Sequence, residues 1–121
     1  MVMIGFTVPN AKENIRSGKK TTTIRPKLSD KTKEQLQRCG LHLYEHPRQP
    51  NMKLIGRAEL KSLRDVRFAY MSADDLAALY KSDGFDSLSQ MFEYFEKKYG
   101  PNYMTEYFTV IEWKDFVSGE D

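Results

Sequence analysis

"GKKTTTIR", residues 18–25, sets a glycine, two lysines, three threonines, an isoleucine and an arginine side by side. Thr and Ile fit a pleated, half-buried surface, so "TTTIR" (21–25) predicts a β-strand that Pro26 closes. Upstream, "AKENIRS" (11–17) predicts a short helix, with Asn10 as its cap and Glu13 completing a capping box. Gly18 ends that helix, because glycine tolerates the left-handed C-terminal position. Before it, "VMIGFTV" places Val2, Ile4, Phe6 and Val8 on one face, the period of a half-buried strand, and Pro9 stops it.

Downstream, "KLSDKTKEQLQRC" (27–39) is polar without a clear apolar stripe and reads as a long loop with one helical turn. "LHLYEH" (41–46) is a short strand and "PRQPNM" (47–52) a turn. "KLIGRAEL" (53–60) sets Leu54, Gly56, Ala58 and Leu60 on one face, in a strand that continues toward "SLRDVRF". The second half turns helical. Ser72 with Asp75 caps a helix carrying Leu76, Leu79 and Tyr80. Ser87 with Gln90 opens another, whose stripe is Leu88, Met91, Phe92, Phe95 and Tyr99, stopped by Gly100 and Pro101. "EYFTVIEWKDF" (106–116) is the clearest strand, aromatic and β-branched. This order lacks regular β-α alternation, so a mainly antiparallel α+β domain is expected. A last strand returning to the early ones would close a small barrel.

At 121 residues, with no internal repeat or linker, one domain over 1–121 is the expectation. Mean hydropathy of −0.65 and the lack of any apolar run near about 18 residues argue against a membrane span. The start has no basic region followed by a long apolar stretch and does not read as a signal peptide. Cys39 is the only cysteine, which excludes an internal disulfide and fits a reducing, cytoplasmic setting. A monomer is the default. Residues 1–60 carry 12 Lys and Arg against 5 Asp and Glu, and residues 61–121 carry 7 against 12. A basic first half suits an anionic partner such as phosphate or nucleic acid. The alternative is that the two halves neutralise each other across one folded surface.

Several constellations bear on chemistry. Lys19, Lys20, Arg25 and Lys27 form a basic cluster, in which Arg25 shares a face with Thr21 and Thr23 and can fork onto a carboxylate, phosphate or base edge. Thr23 and Lys20 make a nucleophile and base pair if burial lowers the lysine toward neutrality. Residues three apart on a strand point to opposite faces, so they converge only if Lys20 lies in the turn after Gly18. Asp83, before Gly84, sits at a break between helices where a carboxylate can face a cleft; taken alone, ordinary turn chemistry is the stronger explanation. Asp86 beside Ser87 reads as a helix cap. Cys39 lacks a paired base beyond His42. His42 and His46 would lie about 13 Å apart on a strand, too far for one ion, so no metal and no cofactor are expected. There is no glycine-rich dinucleotide motif or phosphate-loop lysine motif. Tyr44 and Tyr103, near loops, are candidates for stacking on a base.

"IRSGKKTTTIRP" resembles the signature of the ASCH domain family, a branch of the PUA-like superfamily, with Ile15, Gly18, Lys20, Thr21, Thr23 and Arg25 in its slots. "SDGFDSLSQMFEYFEKKYG" is similar to the family's helix entry through Asp83, Gly84, Phe85, Ser87 and Phe92, and "YFTVIEW" to its closing strand. The resemblance implies a small, mainly antiparallel PUA-like β-barrel with short helices packed around it. It implies a cleft lined by residues 18–25 that binds RNA or a nucleotide or nucleoside, with Lys19, Lys20, Thr21, Arg25 and Lys27 as contacts. One bacterial branch of small ASCH proteins hydrolyses N4-acetylcytidine. Its roles, carried over, make Lys20 the base, Thr23 the nucleophile, Arg25 an oxyanion or substrate contact, and Asp83 the carboxylate where that branch has glutamate.

Overall fold

A computed structural model of the chain describes residues 2–46 and 49–119. Its framework is one curled, five-stranded sheet: β1 (Val2–Phe6), β2 (Thr22–Pro26), β3 (Leu41–Glu45), β4 (Lys53–Val66) and β5 (Phe108–Ser118), in the order β1-β3-β4-β5-β2. Only β1 and β3 run parallel; the other neighbours are antiparallel. The helices are α1 (Ala11–Ser17), α2 (Asp30–Cys39), α3 (Ala73–Ser82) and α4 (Leu88–Tyr99). This is the mainly antiparallel α+β architecture with packed helices that the sequence predicts, its sheet curled into a half-barrel. The last strand does return, pairing Thr23 with Ile111. The barrel nevertheless stays open along one seam, between the edge strands β1 and β2.

Apolar alternation builds a core on each side of the sheet. Ile111 and Trp113 of β5 pack with Ile4, Phe6, Ile15, Leu36 and Leu43 on one side. Phe108 and Val110 pack with Phe68, Leu79, Met91 and Phe95 on the other. A strand covered on both faces needs the near-continuous apolar run found here. Ser72 and Ser87 cap α3 and α4, accepting from the Asp75 and Gln90 amides at 3.1 Å each.

Four expectations are corrected. Residues 30–39 form a full helix, not a loop: Ser29 accepts from the Thr32 amide at 3.2 Å, and Leu36 alone anchors the helix in the core. Asn10 makes no side-chain cap; it is itself left-handed, with φ 62°. On β4 the fully buried residue is Ile55, not Leu54. Leu43 faces Gly56 while Tyr44 faces Leu54, so Ile55 is the extra residue of a bulge, which turns it inward. Tyr103 is buried among Phe68 and Phe92 and presents no stacking face. Of the turn expected over 47–52, residues 47 and 48 lie outside the described residues.

Candidate functional site

Lys20 reaches its place because α1 stops early. Gly18 takes φ 84° and its N–H returns to the Ile15 carbonyl, which swings residues 19–21 away from the helix axis. The Lys20 N–H then donates to the Asn14 carbonyl at 2.9 Å, and the Thr21 N–H to the Ser82 carbonyl at 2.7 Å. Lys20 and Asp83 thereby form an isolated antiparallel bridge, set apart from the named strands. Asp83 follows α3, and Gly84 after it is left-handed at φ 87°. A Cβ on Gly84 would stand 3.2 Å from the Lys20 Cβ, so this glycine also makes room for the lysine stem.

The side chains repeat the backbone pairing. Lys20 Nζ donates to Asp83 Oδ1 at 2.7 Å and to the Asp83 carbonyl at 2.9 Å, both side chains being 5% exposed. Thr22 Oγ1 adds a weak bond to the same carboxylate at 3.4 Å. Burial holds the Lys20 amine below its ordinary value, against the opposing pull of Asp83. Burial likewise pushes the Asp83 carboxyl up, against Lys20. Removal from water disfavours both charges, which favours the neutral amine and the neutral carboxyl relative to an exposed pair. A neutral amine that donates both hydrogens to Asp83 keeps one lone pair free.

Arg25 and Thr23 share one face of β2. Arg25 Nε donates to Thr23 Oγ1 at 3.2 Å, and its terminal nitrogen donates across the open seam to the Gly5 carbonyl at 2.5 Å. With its oxygen accepting from a cation, the Thr23 hydroxyl is polarised and its proton is left to give. Lys20, Thr23, Arg25 and Asp83 all line one chamber of about 170 Å³, walled by Phe6, Phe85 and Tyr94. No hydrogen bond joins Lys20 to Thr23 among the described residues; the lysine is turned to Asp83 instead. A second chamber of about 440 Å³ shares Lys20, Asp83, Phe85 and Tyr94 and opens toward Asn14, Gln90 and Glu93.

The other candidates disperse. Lys19 is exposed, at 2.6 Å from Asp86, on the rim of the larger chamber. The Asp86 amide donates to the Gln90 side chain and Ser87 is the cap, so Asp86 is not one. Thr21 is engaged through its backbone, its carbonyl accepting from the Trp113 N–H at 3.1 Å. Lys27 is exposed beyond β2, over the Tyr107 ring, and lines neither chamber. Cys39 is exposed at the end of α2, and Tyr44 lies half-buried on β3. Among the described residues no three His, Cys, Asp or Glu gather as a metal site, and no helix is long and apolar enough to cross a membrane. Sequence reasoning missed Tyr94 as a chamber wall and Lys98 at the smaller chamber of about 170 Å³, the inner one. They sit four apart on α4, beside Met91 and Phe95, and that offset from the apolar stripe was their available signal.

No protein-family model and no curated protein matches the chain. Solved structures do. The ASCH protein of Zymomonas mobilis, ZmASCH, aligns at TM-score 0.60 and 24% identity, over 96% of this chain and 68% of that one. Its serine-to-alanine mutant gives 0.61 at 24% identity over 96% and 68%. Its tyrosine-to-phenylalanine mutant gives 0.60 at 23% identity over 96% and 70%.

Proposed function

We propose that this protein, having the ASCH fold, hydrolyses the amide of a small acylated nucleoside of the N4-acetylcytidine type. One observation carries the reading: the buried Lys20–Asp83 pair forms part of the same chamber wall as a threonine whose oxygen already accepts from Arg25. In this reading Lys20 takes the Thr23 proton as Thr23 Oγ1 bonds to the acyl carbon, and Arg25 faces the oxyanion. Lys20 returns the proton to the departing amine as the C–N bond breaks. Water, activated by the same base, then splits the acyl-threonine ester and releases a carboxylate. Asp83 holds Lys20 in place and balances its charge. In the same reading Lys20 must swing from Asp83 into hydrogen-bond reach of Thr23 when substrate fills the chamber, since catalytic hydrogen bonds commonly form only in the complex. The aromatic walls suit a planar base, and the larger chamber offers amide and carboxylate groups to a sugar.

An RNA groove has less support. Several cations of the basic first half are matched by acidic residues: Lys19 with Asp86, Lys33 with Asp65 and Arg38 with Glu34. The test is release of acetate and cytidine from N4-acetylcytidine. Thr23→Ala removes the nucleophile and should abolish turnover with the fold intact. No turnover by wild-type protein at high enzyme concentration, or turnover unchanged in Thr23→Ala, refutes hydrolysis. Salt-steep RNA binding that falls in Lys20→Ala and Arg25→Ala, without turnover, would put binding in its place.

A further inference from the structure

Charge is not balanced in the inner chamber. Lys20, Arg25 and Lys98 line it, and among the described residues Asp83 is the one carboxylate that does. Asp83 is taken up by Lys20. Arg25, largely withdrawn from solvent, pairs with no carboxylate among the described residues. Of its five N–H groups, one donates to Thr23 and one to the Gly5 carbonyl, and the others meet no acceptor among the described residues. The guanidinium also lies over the Phe6 ring, 5.5 Å from its centroid. Lys98 donates to the Tyr94 hydroxyl at 3.2 Å and also pairs with no carboxylate among the described residues. Its neighbour Lys97 differs: it sits 3.3 Å from Glu93 and lines the other chamber.

A buried cation is ordinarily matched by an anion, and a guanidinium offers the planar fork that fits a carboxylate or phosphate. We infer that the inner chamber is a subsite for a small oxyanion, held by the free edge of Arg25 with Lys98 and Tyr94 at its side. The subsite does not need the hydrolytic reading; either can fail while the other holds. Where both hold, the carboxylate released by hydrolysis occupies the subsite, and acetate competes with substrate.

The experiment titrates wild-type protein with sodium acetate and, separately, with inorganic phosphate at constant ionic strength. The Arg25 Nε–H and Tyr94 ring NMR signals give the readout. Saturable shifts of both signals are expected. Lys98→Met should weaken binding roughly fivefold, the upper end for a solvent-exposed charge, and Lys97→Met should leave it unchanged. Because Lys98 is exposed, its loss leaves the core untouched. Phosphate binding tighter than acetate would support the same subsite and assign it to a phosphorylated ligand. Absence of saturable shifts with either anion overturns the proposal. So does equal weakening by Lys97→Met and Lys98→Met, which would reduce the effect to general surface charge.

Discussion

Replacing the Lys20–Asp83 pair by apolar side chains, singly and together, tests whether it is a buried pair or two independent polar residues. Each side chain is 5% exposed, and the donor–acceptor distance is 2.7 Å. Lys20→Met leaves the Asp83 carboxyl with only the 3.4 Å bond from Thr22, and Asp83→Leu leaves the lysine its one bond to the main-chain carbonyl at 2.9 Å. Breaking a buried pair from one side typically costs about 3–5 kcal/mol. Added together, two such losses would reach about 6–10 kcal/mol, the size of a small domain's whole stability. The double variant strands neither charge, and apolar replacements of buried pairs are often neutral or stabilising. The backbone bridge between residues 20 and 83 does not depend on either side chain. The expected result is therefore two badly destabilised single variants and a double variant within about 2 kcal/mol of wild type. Urea melts followed by fluorescence of the buried Trp113 would measure this, with unchanged slopes. Hydrolysis should be lost in all three. A double variant as unstable as the sum of the singles would refute the coupling, and with it the assignment of Asp83 as the group that governs Lys20.

The same pair shapes stability against pH. Asp83 is raised in the folded protein, so its contribution is full below 3.8 and is lost as pH rises through the folded value. Lys20 is lowered, so its contribution grows as pH rises from the folded value to 10.5. Wild-type stability minus that of the double variant should thus pass through a minimum between the two, and a maximum there would contradict both directions. Gly84→Ala and Gly18→Ala both force a side chain onto positive φ, at about 1–2 kcal/mol each. Only residue 84 also presses on Lys20, so thermal melts should show the larger loss there, with activity reduced at 84 and kept at 18. Leu36→Ala should cost about 2–5 kcal/mol by urea melt, because this one leucine anchors α2; a loss below about 1 kcal/mol would mean the helix is held by something else.

The strands and the last two helices were legible because each carries its signal locally, in alternation, in serine caps and in the Gly100 stop. Helix α2 was not, since its interior contributes a single buried apolar residue, and its cap meets Thr32 rather than a Glu or Gln. The bulge at Ile55 depends on the facing strand, which no period within β4 records. The site divides in the same way. Thr23 and Arg25 on one face of β2 follow from spacing two apart. The turn that takes Lys20 off the strand follows from Gly18. Its partner lies 63 residues along the chain, and only the fold joins the backbones of residues 20 and 83. Tyr94 and Lys98 were absorbed into the aromatic helix α4, where a wall of a chamber and a face of a core have the same composition.

The unclosed seam between β1 and β2 has a thermodynamic consequence. The guanidinium of Arg25 fastens the two edges through the Gly5 carbonyl, and the same group presents its free edge to the chamber. Occupancy of the chamber and cohesion of the two edges therefore draw on one side chain, so they are linked functions. A ligand that shares Arg25 without displacing it slows the breathing of β1 against β2, and one that pulls Arg25 off Gly5 speeds it. The protection of the β1 amides against hydrogen exchange becomes a reporter of how the chamber is filled.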